Sequence, residues 1–299
     1  MWLSLAFLSA SLLGFYDFFK KISLNQNAVI PVLFLNTLFG SLFFLPLVIL
    51  SHTSPEWLKD TLVYVRPIDW VTQLFLVLKA IIVLTSWLFT YFAMKHLPIT
   101  ITGPIRATQP ILVLLGALLI FGERLNLYQW IGVSISIVSF YLLSLSGKKE
   151  GINFRNNKWI FYTVLATLTG SMSGLYDKYL LKSFDPMTVQ VWYTFYQFVI
   201  MAVILLVLWV PQRKNSTPFE WRWSILFISV FLCLADFVYF YALSDQNSMI
   251  SIVSMVRRSG VVVSFACGAL FLQEKNIKSK AIDIVLVLLG MFFLYLGTK

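Results

Sequence analysis

Seven ionisable side chains interrupt otherwise apolar stretches: Asp17, Lys79, Arg106, Asp177, Asp236, Arg257 and Arg258. An ionised group at the centre of a bilayer costs roughly 2.5–3.5 kcal/mol even on forgiving insertion scales, so such groups face a cavity or a partner. Arg257 and Arg258 fall about eight residues into an apolar run, ~12 Å along a helix, and Arg106 is similarly deep in an earlier one. The planar fork of arginine matches a carboxylate or phosphate, which makes these three candidate binders of an anionic or zwitterionic small molecule. The alternative is neutralisation by Asp17, Asp177 or Asp236 in ion pairs between helices. Arg257→Gln separates the two, abolishing binding with folding intact under the first reading. Asp236, beside Tyr239 and Tyr241, is either a proton-coupling carboxylate or a paired one. Asp17, Asp177 and Lys79 join it as coupling or charge-pairing candidates, and the long stem of Lys79 favours snorkelling.

Aromatic rings with polar tips supply a second chemistry. Trp192-Tyr193-x-x-Tyr196-Gln197 keeps the i, i+3, i+4 spacing of one helix face, which suits a cavity wall for aromatic cargo. Tyr91, Trp192, Tyr196 and Tyr239 are the aromatic binding candidates, with packing or interfacial anchoring as the competing role. Other chemistry finds no support. Cys233 and Cys267 sit in apolar runs and imply no disulfide, and His52 and His96 lack neighbours at ligand spacing. No phosphate-binding loop, nucleophile elbow or zinc-protease motif occurs, so neither a cofactor nor an enzyme is expected. A membrane enzyme acting on lipid or prenyl substrates would need clustered acids, a metal or a histidine near one face.

The elements that carry these residues follow from composition. Of 299 residues 59% are hydrophobic and 12% charged, which requires lipid as the principal solvent. A span takes ~20 apolar residues, and the runs predict ten helices at 2–21, 31–50, 70–94, 99–121, 127–146, 159–181, 187–210, 223–243, 249–271 and 281–297. Their length and lack of strict alternation exclude a lipid-facing barrel, so the fold class is an all-α integral membrane protein. The first span lacks a basic leader and a clear cleavage site and reads as a retained helix. Gly103-Pro104 and Pro110 permit a kink in the fourth. The net charge of +10 is spread over short loops, which suits a membrane surface better than nucleic acid.

The chain repeats itself. Gly14-Phe15-Tyr16-Asp17 recurs as Gly174-Leu175-Tyr176-Asp177, and Tyr91-Phe92-Ala93 resembles the stretch from Tyr239 to Ala242. Arg106 through Gly116-Ala117-Leu118 to Gly122-Glu123-Arg124 aligns with Arg257 through Cys267-Gly268-Ala269 to Gln273-Glu274-Lys275. Equivalent helices lie five spans apart, an odd number, so the second half enters the membrane inverted. The expected domains are 1–152 and 153–299, each of five helices, and the paired arginines would converge on a central cavity. Glu123 and Glu274, at span ends, are expected to cap a following helix or pair with a basic neighbour.

The run from Pro110 through Gly122-Glu123-Arg124-Leu125 to Gln129-Trp130-Ile131-Gly132 resembles the drug/metabolite transporter superfamily, in its EamA-like ten-helix branch. The second half departs from that pattern at Gln273, Lys275 and Ser259 or Gly260. The resemblance implies secondary transport by alternating access, commonly efflux of amino acids, metabolites or drugs, with no prosthetic group and cytoplasmic termini. The charge distribution points the other way on topology. With Lys20 and Lys21 assigned to the first loop, odd-numbered loops carry thirteen of the 23 Lys and Arg and the even side five, which by the positive-inside rule puts the termini outside. The expected partners are a small-molecule substrate and the lipid bilayer of the cell membrane, with the chain working as a monomer and Asp236 as the candidate for proton coupling. A lipid or prenyl-phosphate flippase is the nearest rival.

Overall fold

The computed structural model describes residues 1–97, 105–106, 108–145, 157–260, 262–263, 266–267 and 277–297. Helix is the regular structure throughout, as a chain embedded in lipid must satisfy its backbone within each segment. Ten α-helices are described: α1 Trp2–Leu24, α2 Val29–Thr53, α3 Trp70–His96, α4 Gln109–Ile120, α5 Leu127–Leu145, α6 Lys158–Leu180, α7 Pro186–Ile204, α8 Ser224–Ser244, α9 Ile250–Arg258 and α10 Ile277–Leu296. A π-helical turn, Leu205–Trp209, prolongs α7. Each falls on one of the ten expected spans. Five of the described helices, α1, α2, α3, α7 with its extension and α8, are long and apolar enough to cross a membrane by themselves.

Helix α6 is as long but more polar, and its hydroxyl residues explain how it tolerates the interior. Thr163, Thr167 and Ser171 are buried one turn apart, and each donates to the carbonyl four residues back. The starts of α3, α6 and α7 are capped by Asp69, Asn157 and Asp185, whose side chains accept backbone N–H groups.

Helix α1 packs on α8 and α3 on α6; α2 packs on α7 and α8, and α3 on α7; α9 packs on α1, and α4 on α6; α4 meets α9, and α5 meets α10. Exchanging every helix for its counterpart five places away leaves this pattern unchanged. The closest approaches use small residues. A Cβ on Gly132 would come within 2.7 Å of the Gly290 carbonyl, and one on Gly290 within 2.5 Å of Ser136 Oγ, so α5 and α10 touch backbone to backbone.

Candidate functional site

Eight ionisable groups, some buried and some partly exposed, gather where α1, α3, α4, α6, α8 and α9 meet, in two neighbouring networks. In the first, Asp17 and Lys20 form an ion pair along α1, with the Lys20 side chain 2% exposed. The ammonium lies 4.3 Å from the centroid of the Tyr16 ring, and the Tyr16 hydroxyl is 3.3 Å from that of Tyr91 on α3. Arg258, at the end of α9, donates to Oε1 of Gln109 at the start of α4. Arg106 lies close enough to act electrostatically on Asp17, Lys20 and Arg258. This network holds three cations, Lys20, Arg106 and Arg258, around the carboxylate of Asp17.

The second network is balanced. Lys79 on α3 pairs with Asp177 on α6 and donates to Ser173 Oγ at 3.1 Å. The Tyr239 hydroxyl donates to Asp177 Oδ2 at 3.1 Å, and the Arg257 guanidinium stacks 3.8 Å over the Tyr239 ring. Arg257 Nη2 donates to Asp236 Oδ1 at 2.7 Å, while the Tyr193 hydroxyl donates to Asp236 Oδ2 at 2.8 Å. Two cations thus meet two carboxylates. Arg257 Nε is buried and meets no acceptor among the described residues.

These positions change two expectations. Lys79 does not snorkel: its side chain is 3% exposed, and the nearby Asp177 carboxylate outweighs the gain from reaching water. Arg257 is neutralised by Asp236, so Arg257→Gln would strand a buried carboxylate and is not a clean test of binding. Arg258, whose described partner is an uncharged carboxamide, takes over that test.

The aromatic stripe on α7 divides. Tyr193 points to Asp236, whereas the Trp192 and Tyr196 rings pack 6.3 Å apart and the Tyr196 hydroxyl donates to Gln73 Oε1 on α3. At 100° per residue, 192 and 196 form one row and 190, 193 and 197 the next. Lys20 and Gln109 were not foreseen. Lys20 sits at the end of a span, where a lysine reads as a loop residue, and a lone glutamine gives no periodic signal.

Contacts between the halves close both ends of the bundle. At one end Gly122, with φ +63°, stops α4 and turns the chain so that the Glu123 carboxylate accepts Ile250 N–H at 2.7 Å and Ser251 N–H at 3.3 Å. Glu123 therefore caps α9, a helix of the opposite half rather than the one that follows it, and Met249 provides α9 with no side-chain cap of its own. Glu274 lies outside the described residues. At the same end Asn126 Nδ2 donates to the Gly297 carbonyl at 2.7 Å. At the other end Asn27 exchanges two hydrogen bonds with the Glu220 backbone, and His96 stacks on Trp159 at 3.7 Å.

Ten described helices, five of them long and apolar enough to cross a membrane, define a polytopic membrane protein. The EamA-like transporter family model matches residues 1–145 and again 157–296, and the chain belongs to that family. An uncharacterized transporter from Archaeoglobus fulgidus is similar, 28% identical over 269 residues that cover 88% of this chain and 86% of the other. A crystal structure shares the fold, with a TM-score of 0.74 at 14% identity, over 99% of this chain and 97% of that one.

Proposed function

We propose that this transporter moves a small anionic or zwitterionic metabolite by alternating access, outward across the cell membrane, with its termini in the cytoplasm. The observation that supports this is the charge of the first network, where Lys20, Arg106 and Arg258 surround the carboxylate of Asp17 and Arg258 reaches only the neutral Gln109 among the described residues. Arg258, whose described hydrogen-bond partner is neutral, calls for a counter-charge, and a carboxylate or phosphate on the cargo supplies it with the bidentate geometry guanidinium favours. The halves, taken as 1–152 and 153–299, would rock about this centre, with the Glu123 cap and the Asn27–Glu220 bonds opening in turn. Ten helices are enough to enclose such a path, so we take the monomer as the working unit.

The balanced network would serve as the hinge that positions α9. Asp177 pairs with Lys79 and Asp236 with Arg257, which supports charge pairing as their role; proton coupling would require one pair to open during the cycle. The test is a thermal-shift screen of the purified protein against amino acids, nucleosides, sugar phosphates and organic anions. Saturable stabilisation by an anionic class, lost in Arg258→Gln while the unliganded melting temperature is kept, is the expected result. Stabilisation by neutral lipids alone, or binding unaffected by Arg258→Gln, would overturn the reading.

A further inference from the structure

A small cavity between α2, α7 and α8, bordered by Trp87 of α3, has a lining unlike that of the charged centre. Three carboxamides reach it, Asn36, Gln190 and Gln197, and each is at most 2% exposed. Each also keeps a buried polar atom without a partner among the described residues: Nδ2 of Asn36, Oε1 of Gln190 and Nε2 of Gln197. Other bonds hold Asn36 and Gln190 in place. Ser229 Oγ donates to Asn36 Oδ1 at 3.1 Å, and Gln190 Nε2 donates to the Cys233 carbonyl at 2.8 Å. The volume, about 20 Å³, admits one or two water-sized groups.

What fits follows from the free atoms. Two N–H groups need an acceptor and one C=O needs a donor, which is the complement of a hydroxyl group or a water molecule. An apolar occupant would leave all three groups unsatisfied. A cation is opposed by the two N–H groups, and the nearby Asp236 carboxylate is already shared by Arg257 and Tyr193. Asp236 and Tyr193 line this cavity and also belong to the balanced network, so it lies next to the carboxylate that holds Arg257.

We propose that this cavity is a specificity subsite that receives a hydroxyl group of the cargo, held by a water when the cargo is absent, and that the cargo is accordingly a hydroxylated anion rather than an aromatic one. The assignment rests on the anionic reading of the charged centre. Asn36, Gln190 and Gln197 carry the discrimination, and Arg258 carries the affinity for the anion.

The experiment compares gluconate with hexanoate, six-carbon carboxylates with and without hydroxyls, by titration calorimetry on the full chain in detergent. Wild type binds gluconate at least about tenfold more tightly, the difference expected when buried polar groups lose their partners. Gln190→Met and Gln197→Met, near in volume, reduce that preference to about twofold or less by weakening gluconate; Arg258→Gln weakens both ligands. Equal binding of the two by wild type, or a full preference in both methionine variants, overturns the subsite and leaves the anionic reading standing. Failure of wild type to bind either carboxylate overturns both. Should one methionine variant fail to fold, the other alone decides, because each removes a separate hydrogen bond.

Discussion

Replacing Lys79 with methionine tests the balanced network most sharply. The Lys79 and Asp177 side chains are 3% and 6% exposed, so loss of the ammonium leaves a carboxylate in the interior with the Tyr239 hydroxyl as its remaining described donor. Removing one partner of a buried pair costs about 3–5 kcal/mol. The retained Tyr239 bond puts Lys79→Met near the lower end, ~3 kcal/mol. Asp177→Asn in the same background removes the stranded charge while an amide oxygen can still accept from Tyr239, so the double variant should lie within about 1 kcal/mol of wild type. Asp177→Asn alone strands the Lys79 ammonium at a similar cost, so the coupling energy from the four-protein cycle is roughly 5 kcal/mol. Equilibrium unfolding in mixed micelles, titrated with a denaturing detergent, reads these values directly. Single variants within about 1 kcal/mol of wild type, or a double variant that is the sum of the singles, would refute the idea that this pair is desolvated and mutually dependent.

Three further outcomes are expected. Glu123→Gln should weaken the cap on α9 by about 1 kcal/mol and speed maleimide labelling of Ser248→Cys in a background lacking Cys233 and Cys267; unchanged labelling would mean the cap does not hold that end shut. Gly290→Leu should prevent α10 from seating against Ser136 and give no monodisperse protein on size exclusion, whereas Gly122→Ala, strained by its positive φ but facing open space, should fold at a cost of ~1–2 kcal/mol. The exposed Asp69 carboxyl is held below its ordinary range chiefly by its hydrogen bond from the Thr72 hydroxyl, so its contribution to the start of α3 is present above pH ~4 and lost as pH falls through the folded value. Unfolding between pH 6 and pH 3 should show that loss in wild type and not in Asp69→Ala.

The helices were legible because a bilayer imposes one length and one composition on every span, and the ten expected runs coincide with the ten described helices. The buried charges were legible for the same reason, since Asp17, Asp177, Asp236, Arg257 and Arg258 stand out against apolar surroundings. Their partners were not. Pairing Lys79 with Asp177 or Arg257 with Asp236 depends on which helices cross, and each residue had several opposite charges within reach of an unfolded argument. Gly122-Glu123 shows the limit most clearly: the motif is visible in sequence, but the helix it caps, α9, lies 127 positions away. Asn36 and Gln190 escaped notice because a single carboxamide in an apolar run carries no charge and no period. Their meaning comes from converging on one cavity.

Transport itself is the direct measurement. Proteoliposomes preloaded with the unlabelled anion that stabilises the purified protein would be given the same anion labelled outside, and counterflow followed over time. Wild type should show a transient, saturable accumulation of label, and Arg258→Gln, folded to the same melting temperature, should show none. Accumulation at the wild-type rate in Arg258→Gln would contradict the assignment of the arginine-rich centre as the site that holds the cargo.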